Sequence, residues 1–426
     1  MEQIAEKVEI KDAPLWHYGI FVLVLIILAV FGSLGLGRFG YSIILPAMQD
    51  ALKLTNTQTG ELQSWNLVGY LLTVVLRGTR GALWSRVVIS ISLLIVALAM
   101  IATGLFPFLD AARVGRFFTG VGSAGANVPA MGLVPAWFGA RRRGLASGAA
   151  AAGSSVGLMV TGPLVPMILA QYGADGWRVS WYLLGAIALV VCILCALFLR
   201  NRAEDMGLTP IGARQAELQS SAHAVGRTGS PSLNWGSVYR SRLLWHLAAI
   251  YFAFGFSYII YSTFFVKYLV KEANFGTDSA GMLWLQIGVV ATISGFIWGS
   301  ISDRWGRRIA LLGVFTLQGL SFLIFGLGRD LAAVYLSAIL FAVTAWSIPA
   351  LMAALCGDVF GVRLAPAALG LMTIVFGVGQ AIGPYLAGAI ADATQSFSLA
   401  FVIAGIVALV LGVGGSLVLR TSKSVT

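Results

Sequence analysis

The chain has 426 residues, 58% of them hydrophobic and 11% charged, with a mean hydropathy of +0.87. A soluble domain carries about 25% charged residues, so this composition excludes a soluble enzyme or nucleic-acid-binding domain despite a formal net charge of +11. The three cysteines, Cys192, Cys195 and Cys356, fall in or at the end of apolar segments with no third metal ligand beside them, and read as packing residues.

The segment from Met1 to Pro14 carries Glu2, Glu6, Glu9 and Asp12, and the apolar run after it is too long for the core of a cleaved signal. The first membrane helix is therefore expected to be retained. Runs long enough to span a bilayer lie at roughly 18–45, 57–77, 84–108, 111–138, 144–170 and 178–199, then at roughly 242–269, 278–300, 308–327, 331–357, 366–390 and 397–419. This predicts an all-α membrane protein of twelve helices in two bundles of six. Domains are expected at 1–199 and 242–426, joined by a linker at 200–241 rich in Ser, Gly, Arg and Glu.

Of the 28 Lys and Arg, six fall on one side of this topology: Lys53, Arg113, Arg178, Lys267, Lys271 and Arg329. Arg38 and Arg116 lie within helices, and all the others flank the side that carries the termini and linker. The positive-inside rule makes that side cytoplasmic, in a cell (inner) membrane. The halves also resemble each other. Phe138 to Gly148 (FGARRRGLASG) and Phe360 to Gly370 (FGVRLAPAALG) join the fourth and fifth helix of each half at an offset of 222 residues. Two such repeats with a site at their interface is the plan of an alternating-access transporter.

The chemistry centres on Phe31 to Pro46 (FGSLGLGRFGYSIILP), where Arg38 interrupts an apolar helix that Pro46 is expected to end. A cation near mid-bilayer costs ~2.5–3.5 kcal/mol on insertion scales, so it normally faces a polar cavity or a counter-charge. Gly32, Gly35, Gly37 and Gly40 leave bare backbone around it for a close neighbour.

Between the eighth and ninth helices, Gly299 to Arg308 (GSISDRWGRR) resembles the loop signature of the major facilitator superfamily. Arg116 to Gly125 (RFFTGVGSAG) on the fourth helix is similar to an intramembrane arginine motif of the same superfamily. The run Gly35 to Pro46 further resembles its bacterial YbfB/YjiJ-like branch. The resemblance implies a major facilitator fold and a latch in which Asp303, Arg304 and Arg307 gate one face. The first-half counterpart, Arg77 to Arg86 (RGTRGALWSR), has Gly81 where Asp303 would map. The Gly-Pro element of antiporter and drug-efflux members is present only in part: Leu164, Val165 and Pro166 follow Gly162-Pro163.

At 1.5 Å per residue Arg38 lies roughly 12 Å from Pro46, and Arg116 roughly 9 Å from Asp110, so both guanidiniums can share one level. A pair of planar bidentate donors suits a carboxylate, phosphate or sulfate. Three readings stand for these arginines: contact with an anionic substrate, a structural or gating ion pair with Glu61, the one acid in a helix at nearby depth, and snorkelling toward the interface, with Arg116 tilted further toward a gating pair. Glu61 is also the candidate for proton coupling, because a neighbouring cation and a low dielectric press its pKa in opposite directions. Tyr41, Asn66, Asn127, Tyr251, Ser257, Tyr258, Trp346 and Gln380 are further candidates for the substrate site, against the alternatives of aromatic packing and interhelical hydrogen bonding.

No phosphate-cradling GK[ST] loop, zinc-protease helix or soluble catalytic domain is present in the sequence, so ATP-driven transport and enzyme chemistry are not expected. The expectation is a monomeric secondary transporter of a small organic anion such as a monocarboxylate, working by proton symport without cofactor or metal. The alternatives are a multidrug or metabolite exporter and a non-transporting membrane sensor.

Overall fold

The computed structural model describes residues 17–77, 85–213, 239–328 and 330–419. Lys7, Lys11, Arg80, Arg214, Arg227, Arg329, Arg420, Lys423 and Gly81 lie outside the described residues, as do the side chains of Arg77 and Arg363. The described chain is helical, apart from one isolated bridge between Phe138 and Ile211. The first six helices are α1 (Tyr18–Leu52), α2 (Asn56–Arg77), α3 (Ser85–Leu105), α4 (Leu109–Trp137), α5 (Ala140–Ala151 continued by Gly153–Tyr172) and α6 (Gly176–Phe198). The second six are α7 (Arg242–Lys271), α8 (Thr277–Trp305), α9 (Arg307–Leu327), α10 (Leu331–Gly361), α11 (Leu364–Thr394) and α12 (Ser398–Val418).

Of these, α2 and α4 fall short of the hydropathy of the other membrane helices. Those two helices carry the polar load: Glu61, Gln63 and Asn66 on α2, and Asp110, Arg113, Arg116 and Asn127 on α4. Polar residues in a bilayer helix are tolerated when they face other helices. Here α2 and α4 approach until a Cβ on Gly120 would overlap the Asn66 carbonyl and one on Gly69 would overlap the Phe117 carbonyl.

Between the bundles, α1 meets α7, α2 meets α11 and α5 meets α8. These contacts are tightest on the face opposite the linker. There Gly60 lies against the Pro384 carbonyl, Gly388 against the Asn56 carbonyl, and Gly162 and Gly281 against each other. On the linker face Gly132, Gly144, Gly148, Gly357 and Gly370 have open space where a Cβ would stand. The closest backbone approaches between the bundles thus gather on the face opposite the linker.

Three local features depart from the sequence expectation. Pro46 does not end its helix, which continues to Leu52. In a bilayer, breaking the helix would strand several backbone groups while proline removes only one N–H, so the helix runs on. The first part of the expected linker, up to Ala213, lies against the first bundle. Gly139 N–H donates to the Ile211 carbonyl at 3.0 Å and Trp137 Nε1 to the Arg200 carbonyl at 3.1 Å. Finally, α8 and α9 are separated only by Gly306, at φ +94°, a value that favours glycine and that accounts for its place in the GSISDRWGRR signature.

Candidate functional site

Within α1, Phe31–Phe39 is wound as a π-helix. This wider winding displaces backbone carbonyls from regular helical bonding, and in a bilayer each must find another donor. The Ser33 carbonyl accepts from Ser123 Oγ at 2.7 Å, and the Gly37 carbonyl accepts from Arg116 Nη1 at 2.7 Å. Gly35 meets the backbone of Gly157 on α5, while Gly37 stands against Thr119 and Ser123 on α4. The glycines expected around Arg38 thus fix the bulge against two neighbouring helices.

Arg116 is 0% exposed. Besides Gly37 it donates from Nη2 to Gln63 Oε1 at 2.7 Å, and its guanidinium lies 4.6 Å from the Tyr41 ring centroid and 5.7 Å from that of Trp181. Tyr41 donates its hydroxyl to the Thr59 carbonyl at 2.8 Å, and Asn66 donates Nδ2 to the Arg116 carbonyl at 3.2 Å. Arg116, Tyr41 and Asn66 therefore form the interior of the first bundle. The expected partnership of Glu61 with Arg38 or Arg116 is not formed. Glu61 pairs with Arg113 at 2.8 Å and accepts from Trp65 Nε1 at 3.1 Å. The reason is helical phase: Gln63, two residues on, occupies the inward face, and Glu61 is turned toward the outer surface of α2 and α4.

Arg38 emerges at the junction of the bundles, 5% exposed, with its guanidinium carbon 4.4 Å over the Tyr70 ring. Its Nε and Nη2 are buried without a hydrogen-bond partner. The Tyr258 hydroxyl of α7 lies within electrostatic reach and accepts from the Gln380 amide of α11. Asn127 Nδ2 donates to the Tyr70 hydroxyl at 3.0 Å. Trp346 on α10 donates Nε1 to Ser155 Oγ of α5 at 2.9 Å and packs its ring 5.2 Å from that of Phe39. Tyr251 and Phe376 stack at 4.3 Å, and Phe254 and Tyr258 at 4.6 Å.

The junction thus gathers Arg38, Asn127, Tyr251, Tyr258, Trp346 and Gln380 from the sequence candidates. Ser257 is not among them; it donates to the Ala404 carbonyl of α12 at 2.8 Å, inside the second bundle. Tyr70, Phe376 and Ser155 were not singled out. For two of them helical spacing held a signal: Tyr70 is four residues after Asn66 and Phe376 four before Gln380, on shared faces.

In the α8–α9 loop Arg307 donates to Asp303 at 2.7 Å and to Asp358 at 2.8 Å, both within the second bundle. Arg304 is exposed, 5.9 Å from the Trp305 ring, and Gly299 faces open space. On the face opposite the linker the bundles are tied by polar contacts. Lys267, 2% exposed, donates to Asn56 Oδ1 at 2.6 Å and Thr59 Oγ1 at 3.2 Å. Lys271 pairs with Asp50. Asp392 of α11 caps the start of α2, accepting from Asn56 N at 2.9 Å, Thr57 N at 2.8 Å and Thr57 Oγ1 at 2.5 Å. The sequence counts Lys267 and Lys271 among the charges of this side and gives Asp392 no part.

Residues 29–417 match the family described as "Uncharacterised MFS-type transporter YbfB". The chain belongs to this family. It is a multi-pass membrane family of transporters rather than enzymes, with the twelve-helix major facilitator fold. Among curated relatives, the chain is 28% identical over 282 residues to the "Probable sulfoacetate transporter SauU" of Cupriavidus necator, covering 64% of this chain and 62% of that one. It is 25% identical over 287 residues to the "Hexuronate transporter" of Bacillus subtilis, covering 66% and 63%. The matched stretches span less than two thirds of either relative. Among solved structures, the bacterial homologue of the human lysosomal transporter Spinster, inward-facing and unoccupied, superposes with a TM-score of 0.74 at 15% identity, covering 96% of this chain and 97% of that one. The likeness shows the same fold over nearly the whole chain.

Proposed function

We propose that this YbfB-type protein is a secondary transporter that carries a small organic anion through the bundle junction by alternating access, with Arg38 as the anion contact. The observation that carries the reading is the pair of uncommitted donors, Nε and Nη2, on a buried guanidinium between the bundles. These two N–H groups lie along one edge of the guanidinium, the arrangement that grips both oxygens of a carboxylate or sulfonate. Relatives named for sulfoacetate and hexuronate fit the same chemistry.

The closed face opposite the linker is taken as belonging to one end state of the cycle, with the linker face cytoplasmic in an inner membrane and the protein acting as a monomer. The moving bodies are the bundles at 1–199 and 242–426, and the latch of Asp303, Arg304 and Arg307 engages the first bundle in the other end state. Proton symport follows from the energetics of uptake. A monoanion entering against an inside-negative potential is opposed by about 2.3 kcal/mol per 100 mV, and one accompanying proton cancels that cost.

Reconstituted protein should take up labelled carboxylate or sulfonate saturably and carry protons with it, read by a pH-sensitive dye in the lumen. Arg38→Gln should abolish uptake while leaving the melting temperature in detergent unchanged. Full uptake by that variant would remove Arg38 from the substrate path.

A further inference from the structure

The cations near the junction differ in how they are committed. Arg116 is held by Gly37 and Gln63 and Arg113 by Glu61 and Asp110, each with only its Nε unpartnered, and Lys267 and Lys271 are held by partners on the face opposite the linker. Arg38 has one free edge, sized for one anionic group. A second carboxylate on the same ligand would enter a low-dielectric site with no counter-charge described for it, at several kcal/mol.

Tyr258, within reach of Arg38, belongs to a set of four rings from α7 and α11 that lie nearly parallel. Tyr251 and Phe376 are tilted by 14°, Phe254 and Tyr258 by 13°, and Tyr258 and Phe376 by 4° at 6.2 Å. Tyr251, Phe254 and Tyr258 are buried and Phe376 is half-buried, so the stack is reached from its Phe376 end. Polar groups around it are largely occupied: the Tyr258 hydroxyl by Gln380, the Tyr70 hydroxyl by Asn127, and Trp346 Nε1 by Ser155. A ligand carrying several hydroxyls would leave them unpaired against ring faces, whereas a flat apolar body would gain stacking and burial.

We infer that the substrate class is a monovalent anion with a flat apolar or aromatic body, its carboxylate or sulfonate on the Nε and Nη2 edge of Arg38 and its body against the half-buried Phe376 at the accessible end of the ring stack. This rests on the reading of Arg38 as the anion contact, and separates the chain in specificity from relatives named for small or polyhydroxylated anions.

The test is calorimetric titration of the full chain in detergent with four probes: phenylacetate, acetate, glucuronate and succinate. Phenylacetate should bind at least about tenfold more tightly than the other three, the sum of one or two ring contacts. Phe376→Leu, which keeps volume without a ring face, should weaken phenylacetate about two- to tenfold and leave acetate unchanged. Glucuronate or succinate binding as tightly as phenylacetate would overturn the substrate class, even where Arg38→Gln still abolishes every titration. Binding of all four that survives Arg38→Gln would instead overturn the anion contact itself. Should Phe376→Leu fail to fold, the ranking of the four probes on the unaltered protein decides the matter.

Discussion

Replacing Asp392 with asparagine should loosen the face opposite the linker without touching the Arg38 site. The Asp392 carboxylate accepts three hydrogen bonds from the first turn of α2 and so ties the second bundle to the first. A carboxylate at a helix start also interacts with the positive end of the backbone dipole, an effect worth about 0.3–1 kcal/mol at a partly exposed site. Asparagine keeps one acceptor oxygen and loses the charge, so one or two charge-assisted bonds are weakened, each worth roughly 1.5–3 kcal/mol when formed to an ion. Allowing for water reaching this half-buried site, the net loss is about 2 kcal/mol. That shifts the ratio of sealed to unsealed molecules about thirtyfold. Spin labels on Lys53→Cys and Gln395→Cys, exposed positions from opposite bundles on this face, would read the change by pulsed dipolar spectroscopy. The Asp392→Asn protein should show a new, longer distance component in the absence of substrate. A distance distribution identical to that of the parent would refute the claim that this cap holds the face closed.

Arg116→Met should lower the melting temperature sharply, because the Gly37 carbonyl and Gln63 Oε1 lose their donors in a dry interior; the cost is about 2–4 kcal/mol after relief of the buried charge, and an unchanged melting curve would contradict it. Two glycine substitutions should separate folding from conformational bias. Gly120→Ala overlaps the Asn66 carbonyl inside one bundle and should abolish folded yield, whereas Gly60→Ala overlaps the Pro384 carbonyl across bundles and should leave a folded protein that cannot seal its far face, seen in the same spin-label distances. Glu61→Gln breaks a partly exposed pair with Arg113 worth at most about 1 kcal/mol, so gradient-driven accumulation in liposomes should persist; its loss would show that Glu61 carries the coupling proton after all.

Helix positions were legible because burial in lipid needs only length and apolarity, and the residue pattern states both. Rotation about each helix axis was not. The expectation that Arg38 and Arg116 share one level is not met: Arg116 meets Gln63 and Arg38 meets Tyr70, seven residues further along α2 and so roughly 10 Å away, and one enters the junction while the other enters the bundle interior. The π-helical turns at Phe31–Phe39 decide this, and such winding has no hydropathy signature. The same difficulty hid the partner of Glu61, since the two-residue step to Gln63 reverses the face presented to Arg116. The inward course of Lys267 was hidden for a different reason. Near a helix end a lysine can reach the interface or turn inward, and only Asn56 and Thr59 from the other bundle select the inward course. Tyr258, Gln380 and Trp346 were recoverable because polar or amphipathic side chains in otherwise apolar helices demand a neighbour.

The unoccupied room beside Gly144, Gly148, Gly357 and Gly370 bears on how natural variation in this protein should be interpreted. An added methyl at any of these four points touches nothing in the present arrangement, so a heat-stability screen of this form would score it as harmless. Its cost would surface only as slower turnover, when those surfaces come together at the opposite stage of the proposed cycle. Tolerance measured on a resting carrier is therefore a poor guide to which of its small residues the moving one can spare.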